Sequence, residues 1–263
     1  MTHHRAVTAS RLAVTGLAAA AALLVAPTIV DPSPAASAGS SAGTAVNRLV
    51  RRHHPAPSHF TQGRVDNPWF PLKPGTRFVY RGVDGPARVS DVMIATYRTK
   101  VVDGVTCRVV LDRGFRHGRL TERTLDWYAQ TRTGTVWYFG ENTSTFDRHG
   151  HVLSHAGSFT SGVDGAQAGI FMPAHPHPGP TYRQEFLRGQ AEDEFTVLRH
   201  GAHVLTPLIA SGAALVTKEF SPLEPGVVEH KYYVRDIGDV YDVSVRGETA
   251  HARLVSLTHL PRH

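Results

Sequence analysis

Carboxylates and aromatic residues recur at two-residue spacing in this chain. On a β-strand that spacing places side chains on one face, where they can act together on a ligand. In the run Thr124–Gln130, one face collects Thr124, Asp126, Tyr128 and Gln130, and the other Leu125, Trp127 and Ala129. In Glu229–Arg235, Glu229, Lys231, Tyr233 and Arg235 align against His230, Tyr232 and Val234. If the Ser221–Val227 turn closes a hairpin, Lys218 falls beside Glu229 or Lys231, according to a register that shifts by one residue. One reading is a charged, aromatic-lined interior that holds a polar ligand, with Glu141, Glu185, Glu192 and Asp193 adding carboxylates. The other is a solvated face of cross-strand ion pairs worth about 0.2–1 kcal/mol each, which is what alternating antiparallel strands ordinarily give. The candidate ligand contacts are Asp126, Trp127, Tyr128, Trp137, Glu141, Glu185, Glu229, Lys231 and Tyr233.

Three catalytic chemistries have weaker support. Glycoside hydrolysis needs two acids about 5–9.5 Å apart with aromatic platforms nearby. Glu185 with Glu192 or Asp193, beside Trp127 and Trp137, is the set available. Imidazoles cluster at His149, His151 and His155, at His175 and His177, and at His200 and His203. They lie at turns and strand ends, outside the helical frame that sets two ligands on one face, so no metal site is assigned. No Gly-x-Ser-x-Gly elbow stands between a strand and a helix. The single cysteine, Cys107, alternates among β-branched residues and reads as a buried thiol. One cysteine also excludes an intramolecular disulfide and any thiolate-rich zinc or iron–sulfur centre. No catalytic residue and no cofactor is assigned.

The elements that must position these residues are strands. From residue 60 onward, runs rich in Val, Tyr, Phe, Trp and Thr recur between Gly and Pro turns, the punctuation of a sandwich or barrel. Strands are predicted at 77–81, 88–99, 105–113, 120–130, 135–140, 151–160, 182–188, 192–200, 213–220, 227–235, 240–246 and 252–258. Asp103-Gly104 is a two-residue hairpin signal, because its turn needs positive φ at both centres; Arg116-His117-Gly118 reads as a similar reversal. The fold predicted is all-β: one antiparallel meander forming a barrel or strongly curved half-barrel, with few or no helices. Asp66–Gly75, containing Trp69 and Phe70, is expected to plug one end of the sheet. Gly162–Gly179 is expected to be a long loop roofing a cavity, and Gly201–Gly212 a loop or short helix.

Ahead of this domain, a basic start is followed by the apolar run Leu12–Ala26, Pro27 and Ala36-Ser37-Ala38. That order predicts a secretory signal peptide over 1–38, cut near Ala38, because the run is short of the ~20 residues a span requires. Residues 39–58 read as a flexible Ala/Ser/Gly/Pro linker containing Arg48, Arg51 and Arg52, and 59–263 as a single β-domain. The formal net charge of +6 therefore sits largely in the leader and linker. A nearly neutral domain lacks the basic stripe that phosphate binding uses, so nucleic acid is not an expected partner. With 41% hydrophobic and 19% charged residues, disorder throughout and a multi-pass membrane protein are both excluded. The expected product is secreted, extracellular or cell-wall associated, with no integral span.

The segments DNPWFPLKPGT (Asp66–Thr76), TLDWYAQ (Thr124–Gln130), VWYFGE (Val136–Glu141), GVDGAQAGI (Gly162–Ile170), YRQE (Tyr182–Glu185), AED (Ala191–Asp193) and EPGVVEHKYY (Glu224–Tyr233) resemble an uncharacterised family of secreted or lipid-anchored actinobacterial proteins. The likeness spans about 60–258. Some relatives carry a lipid-anchor cysteine that this chain lacks. More loosely, the architecture is similar to the half-barrels that carry lipidated proteins across bacterial envelopes. The resemblance implies a β-rich, extracytoplasmic protein without assigned activity. A small amphipathic ligand or a cell-envelope polymer is the expected partner; a hydrolase and a structural or adhesive protein are the alternatives.

Overall fold

The computed structural model describes residues 54–247 and 249–262. The predicted signal peptide and most of the linker lie outside the described residues. The strands run in chain order as β1 (Thr76–Asp84), β2 (Ala87–Val102), β3 (Val105–Arg116), β4 (Arg119–Gln130), β5 (Val136–Phe146), β6 (Val152–Ser154), β7 (Phe159–Thr160), β8 (Gln167–Met172), β9 (Thr181–Arg183), β10 (Glu185–Phe186), β11 (Glu194–Leu205), β12 (Ala210–Phe220), β13 (Val228–Val234), β14 (Gly238–Arg246) and β15 (Ala250–His259). One short 3-10 turn, Pro57–His59, precedes them. All the paired strands are antiparallel, in the order β10-β8-β5-β4-β3-β2-β1-β15-β14-β13-β12-β11-β9, with β6 and β7 added to β5. Pairing of β1 with β15 joins two meanders into one curved sheet. Its two ends, β10 and β9, are separated in sequence by Gln184 alone. The sheet is a nearly closed barrel, as predicted.

Turn chemistry explains the register of the first meander. Asp103 and Gly104 both take positive φ, 46° and 76°, as do His117 and Gly118, 51° and 76°. These two-residue turns match the right-handed twist of the strands they join. The barrel interior holds the main apolar cluster, in which Phe78, Tyr80, Met93, Val110, Tyr128, Tyr138, Phe171, Phe195, Leu215, Tyr233 and Leu254 converge from strands all round the sheet. Trp69 and Phe70 enter that cluster from the Pro-rich segment, which plugs the barrel as expected. Gln130 fixes the plug: its Oε1 accepts from the Asp66 and Asn67 amides at 2.8 and 2.7 Å, and its Nε2 donates to Asp66 at 2.6 Å. A second, outer apolar layer joins Phe60, Val105, Cys107, Val109, Trp127 and Phe139. His54, at the end of the predicted linker, packs onto this layer, its imidazole against Phe139 and 2.9 Å from Asp103.

Three sequence expectations are corrected. Gly162–Gly179 is not one loop: β8 lies inside it, paired with β5 and β10. Gly201–Gly212 is neither loop nor helix, because β11 continues to Leu205 and β12 begins at Ala210. The Thr206 hydroxyl accepts from the Leu208 and Ile209 amides and so builds the intervening turn locally,. The predicted strand 151–160 is two short pieces, β6 and β7, broken around Gly157, which takes positive φ.

Candidate functional site

The candidate contacts separate into two places, one inside the barrel and one outside it. Asp126, Tyr128, Glu141, Glu185, Glu229, Lys231 and Tyr233 are buried in the interior, none more than 5% exposed. Trp127 and half-buried Trp137 belong to the outer layer, with Trp127 itself largely covered. Alternation accounts for this, since Trp127 lies between Asp126 and Tyr128 on β4. Glu141 needs a further device. Asp126 pairs with Glu141 but Tyr128 pairs with Tyr138, so β5 spends one more residue than β4 over this stretch. Gly140, at φ 137°, takes up the bulge, which turns Glu141 inward. Glu192 stays half-buried and accepts from the Gly189 amide at 2.6 Å, apart from the interior acids. The β12–β13 register pairs Lys218 with His230, Thr217 with Lys231 and Glu219 with Glu229. Lys218 therefore faces outward, beside neither of the residues suggested from the sequence.

Acids not singled out in the sequence complete the interior: Asp91, Asp112, Glu219, Asp239 and Asp242 are all buried. Around β2–β5, Tyr138 Oη lies 2.8 Å from Asp126 Oδ1 and 3.0 Å from Glu141 Oε2. One phenolic O–H can donate to only one of them. The two contacts are best satisfied when one of the carboxyls keeps its proton and donates to the phenol while the phenol donates to the other. Burial, reinforced by Glu141 and Asp112, pushes the Asp126 carboxyl well above its ordinary range. Burial and neighbouring Asp112 do the same to Asp91. The Tyr138 and Tyr128 rings stack at 4.8 Å, and burial followed by the nearby carboxylates raises both phenols. They remain hydroxyls.

Around β12–β14 an ammonium takes the central position. Burial disfavours the Lys231 charge, but Glu219, Asp242, Asp239 and Glu229 outweigh burial and raise its pKa. Burial still lifts the acids: Glu229 to about 8 and Asp239 to about 6, with Lys231 opposing each rise. Asp242 is lifted well above its usual range by burial and Asp239. Glu219 accepts from Gln184 Nε2 at 3.0 Å and from the Thr217 hydroxyl. One ammonium cannot neutralise four carboxylates, so this group too retains protons at neutral pH.

Outside the barrel, the outer layer borders an open cleft of about 420 Å³. Lys100, Trp127 and Glu141 form one side of it, Ser158 and Asp164 a second, and Gln190 a third. The Lys100 ammonium lies 3.2 Å from the Trp127 ring centroid, a cation–π contact, and its pKa is lowered by burial. Glu141 is thus shared between the cleft and the interior. Cys107 is fully buried and burial raises its thiol strongly, which keeps it inert. The histidines of the β5–β6 turn are exposed, and Asp147 accepts from the His149 and His151 amides. Among the described residues no three His, Cys, Asp or Glu are arranged to hold a metal ion.

No family model and no curated protein matches this chain. Among solved structures it is similar to a protein described as exported, with a YmcC-like fold, from Bacteroides fragilis. That match has 13% identity and a TM-score of 0.43, and covers 72% of this chain and 98% of that one. It is also similar to a protein described as a lipoprotein from Parabacteroides distasonis. There the identity is 9% and the TM-score 0.36, with the same coverage, 72% and 98%.

Proposed function

We propose that this protein is an extracytoplasmic, non-enzymatic binding domain, one of the secreted or lipid-anchored actinobacterial proteins its segments resemble. Its ligand is a small amphipathic molecule or a hydroxyl-rich segment of a cell-envelope polymer, held in the outer cleft. The observation that carries this reading is the cleft itself: a concave volume where an indole, an ammonium, a carboxyl and several hydroxyl and amide groups meet. Binding sites commonly pair apolar walls with a few fixed polar groups in this way. The acids singled out from the sequence for a hydrolase, Glu185 and Asp193, are each 2% exposed and line no part of this cleft. Secretion rests on the basic, apolar and small-residue order of residues 1–38.

Native mass spectrometry of protein purified from its own host is expected to show a co-purifying molecule. In parallel, soluble oligosaccharide fragments of that host's cell wall are titrated against tryptophan fluorescence. Lys100→Ala with Gln190→Ala alters the cleft rim without opening the core and is expected to weaken binding about tenfold or more. Trp137→Ala, on the neighbouring strand, should change it little. Clean apoprotein together with no response to the fragments, or a response indifferent to the rim variant, would overturn the reading.

A further inference from the structure

Closure of the barrel depends on six residues. β9 adds only Thr181–Arg183 to the edge of β11, and β10 adds only Glu185–Phe186 to β8. Gln184 joins the two, donating its backbone N–H to the Asp193 carbonyl at 2.8 Å and its Nε2 to Glu219 at 3.0 Å. Gly169 of β8 lies under this crossing, where a Cβ would collide with the Arg183 and Gln184 backbone. By contrast, β2 and β3 pair from Val89–Arg116 to Val102–Val105. The ring is therefore closed through the shortest ladder along the sheet, the two residue pairs between β10 and β8.

Two carboxyls are buried at that closure, Glu185 and Asp193. The titratable and charged groups facing them include Asp126 and Tyr128 of β4, Glu141 and Tyr138 of β5, Glu194 of β11, Glu219 of β12, and Lys231 and Glu229 of β13. Among these groups Lys231 alone is cationic, and it already answers four carboxylates of its own half. Two new negative charges would have to share that one ammonium with four other acids and would meet little water, an arrangement that is costly in a low-dielectric interior,.

We propose that the β9–β10 crossing is a pH-operated seam, shut while Glu185 and Asp193 keep their protons and parting between β8 and β11 when they ionise. Burial and then Asp193, Glu141 and Asp126 hold the Glu185 carboxyl well above its usual range. Asp193 is raised by burial and Glu141, against the opposing influence of the Ser221 hydroxyl and Lys231. Opening admits water to the interior acids. It also draws back Leu187 and Gln190, which follow β10 and wall the outer cleft. This coupling rests on the binding reading above, whereas the seam itself does not.

Hydrogen exchange of the ligand-free protein tests the seam separately from binding. The Gln184 amide, bonded to Asp193, and the amides of the β8–β10 ladder, Gln167–Ala168 and Glu185–Phe186, are compared with amides of β2 and β3 at pH 5 and pH 8, each corrected for intrinsic rate. Seam protection is expected to fall roughly tenfold or more at the higher pH while β2–β3 protection holds, the signature of local opening. Glu185→Gln with Asp193→Asn is expected to abolish that fall. If the double variant does not fold, Glu185→Gln alone is expected to reduce it. Flat seam protection, an equal loss in β2–β3, or a pH effect unaltered in the variant would overturn the proposal.

Discussion

Inside β2–β5 the acids Asp91, Asp112, Asp126 and Glu141 meet one another and tyrosine hydroxyls, whereas inside β12–β14 Glu219, Glu229, Asp239 and Asp242 surround Lys231. The first group is held by shared protons, and Tyr138 is its hinge point. The second is held by a cation that burial alone would have discharged. Both are buried carboxylate groups of similar size, so the difference shows two ways of enclosing acid in a barrel: neutralise the charge by proton, or answer it by ammonium. The two should fail differently.

The largest effect is expected from Lys231→Met. Removing one partner of a buried charge group typically costs about 3–5 kcal/mol, and here it leaves four acids without a cation. The cost should be smaller at pH 5, where those acids accept protons, than at pH 8; urea midpoints at both values measure this. Tyr138→Phe, the corresponding change in the other half, removes one shared hydroxyl and is expected to cost about 1–3 kcal/mol. Equal losses from the two variants would remove the distinction between the halves.

A smaller and more general effect concerns the wild type. Asp91, Asp126, Glu219, Glu229, Asp239 and Asp242 have folded pKa values above their unfolded ones, so between the two values the unfolded chain binds fewer protons than the folded one. Stability must then fall as pH rises. The decline begins near the ordinary carboxylate range, about 4. For Asp239 it extends to about 6 and for Glu229 to about 8. Lys231, raised in the folded state, keeps its contribution throughout this window and loses it only in strong alkali. Urea unfolding from pH 5 to pH 8 should show midpoints drifting downward; an upward drift would mean the interior acids are ionised and well paired.

Much of the architecture was legible because local chemistry dictated it. Asp103-Gly104 specified its hairpin, and Trp69 and Phe70 could be accommodated only by burial. β8 was hidden because Gly169 lowers strand propensity, yet only glycine fits where the closing backbone crosses. Alternation placed Asp126 with Tyr128, and Glu229 with Lys231 and Tyr233, on common faces. Which way those faces point was not legible, since the more polar face turns inward, the reverse of the usual arrangement. A usable signal was nonetheless present: Asp91 is in phase with Met93 and Ala95, and Glu219 with Leu215 and Thr217, acids sharing a face with buried residues. Glu141 could not be placed by phase counting, because the bulge at Gly140 resets the alternation.

Infrared spectroscopy of the folded protein at pH 7 addresses the protonated interior most directly, because a carboxylic acid and a carboxylate absorb at separate carbonyl frequencies. A protonated-carboxyl band that persists at pH 7, loses intensity in Asp126→Asn and vanishes on unfolding is the predicted result. A spectrum containing only ionised carboxylates in the folded wild type would contradict it.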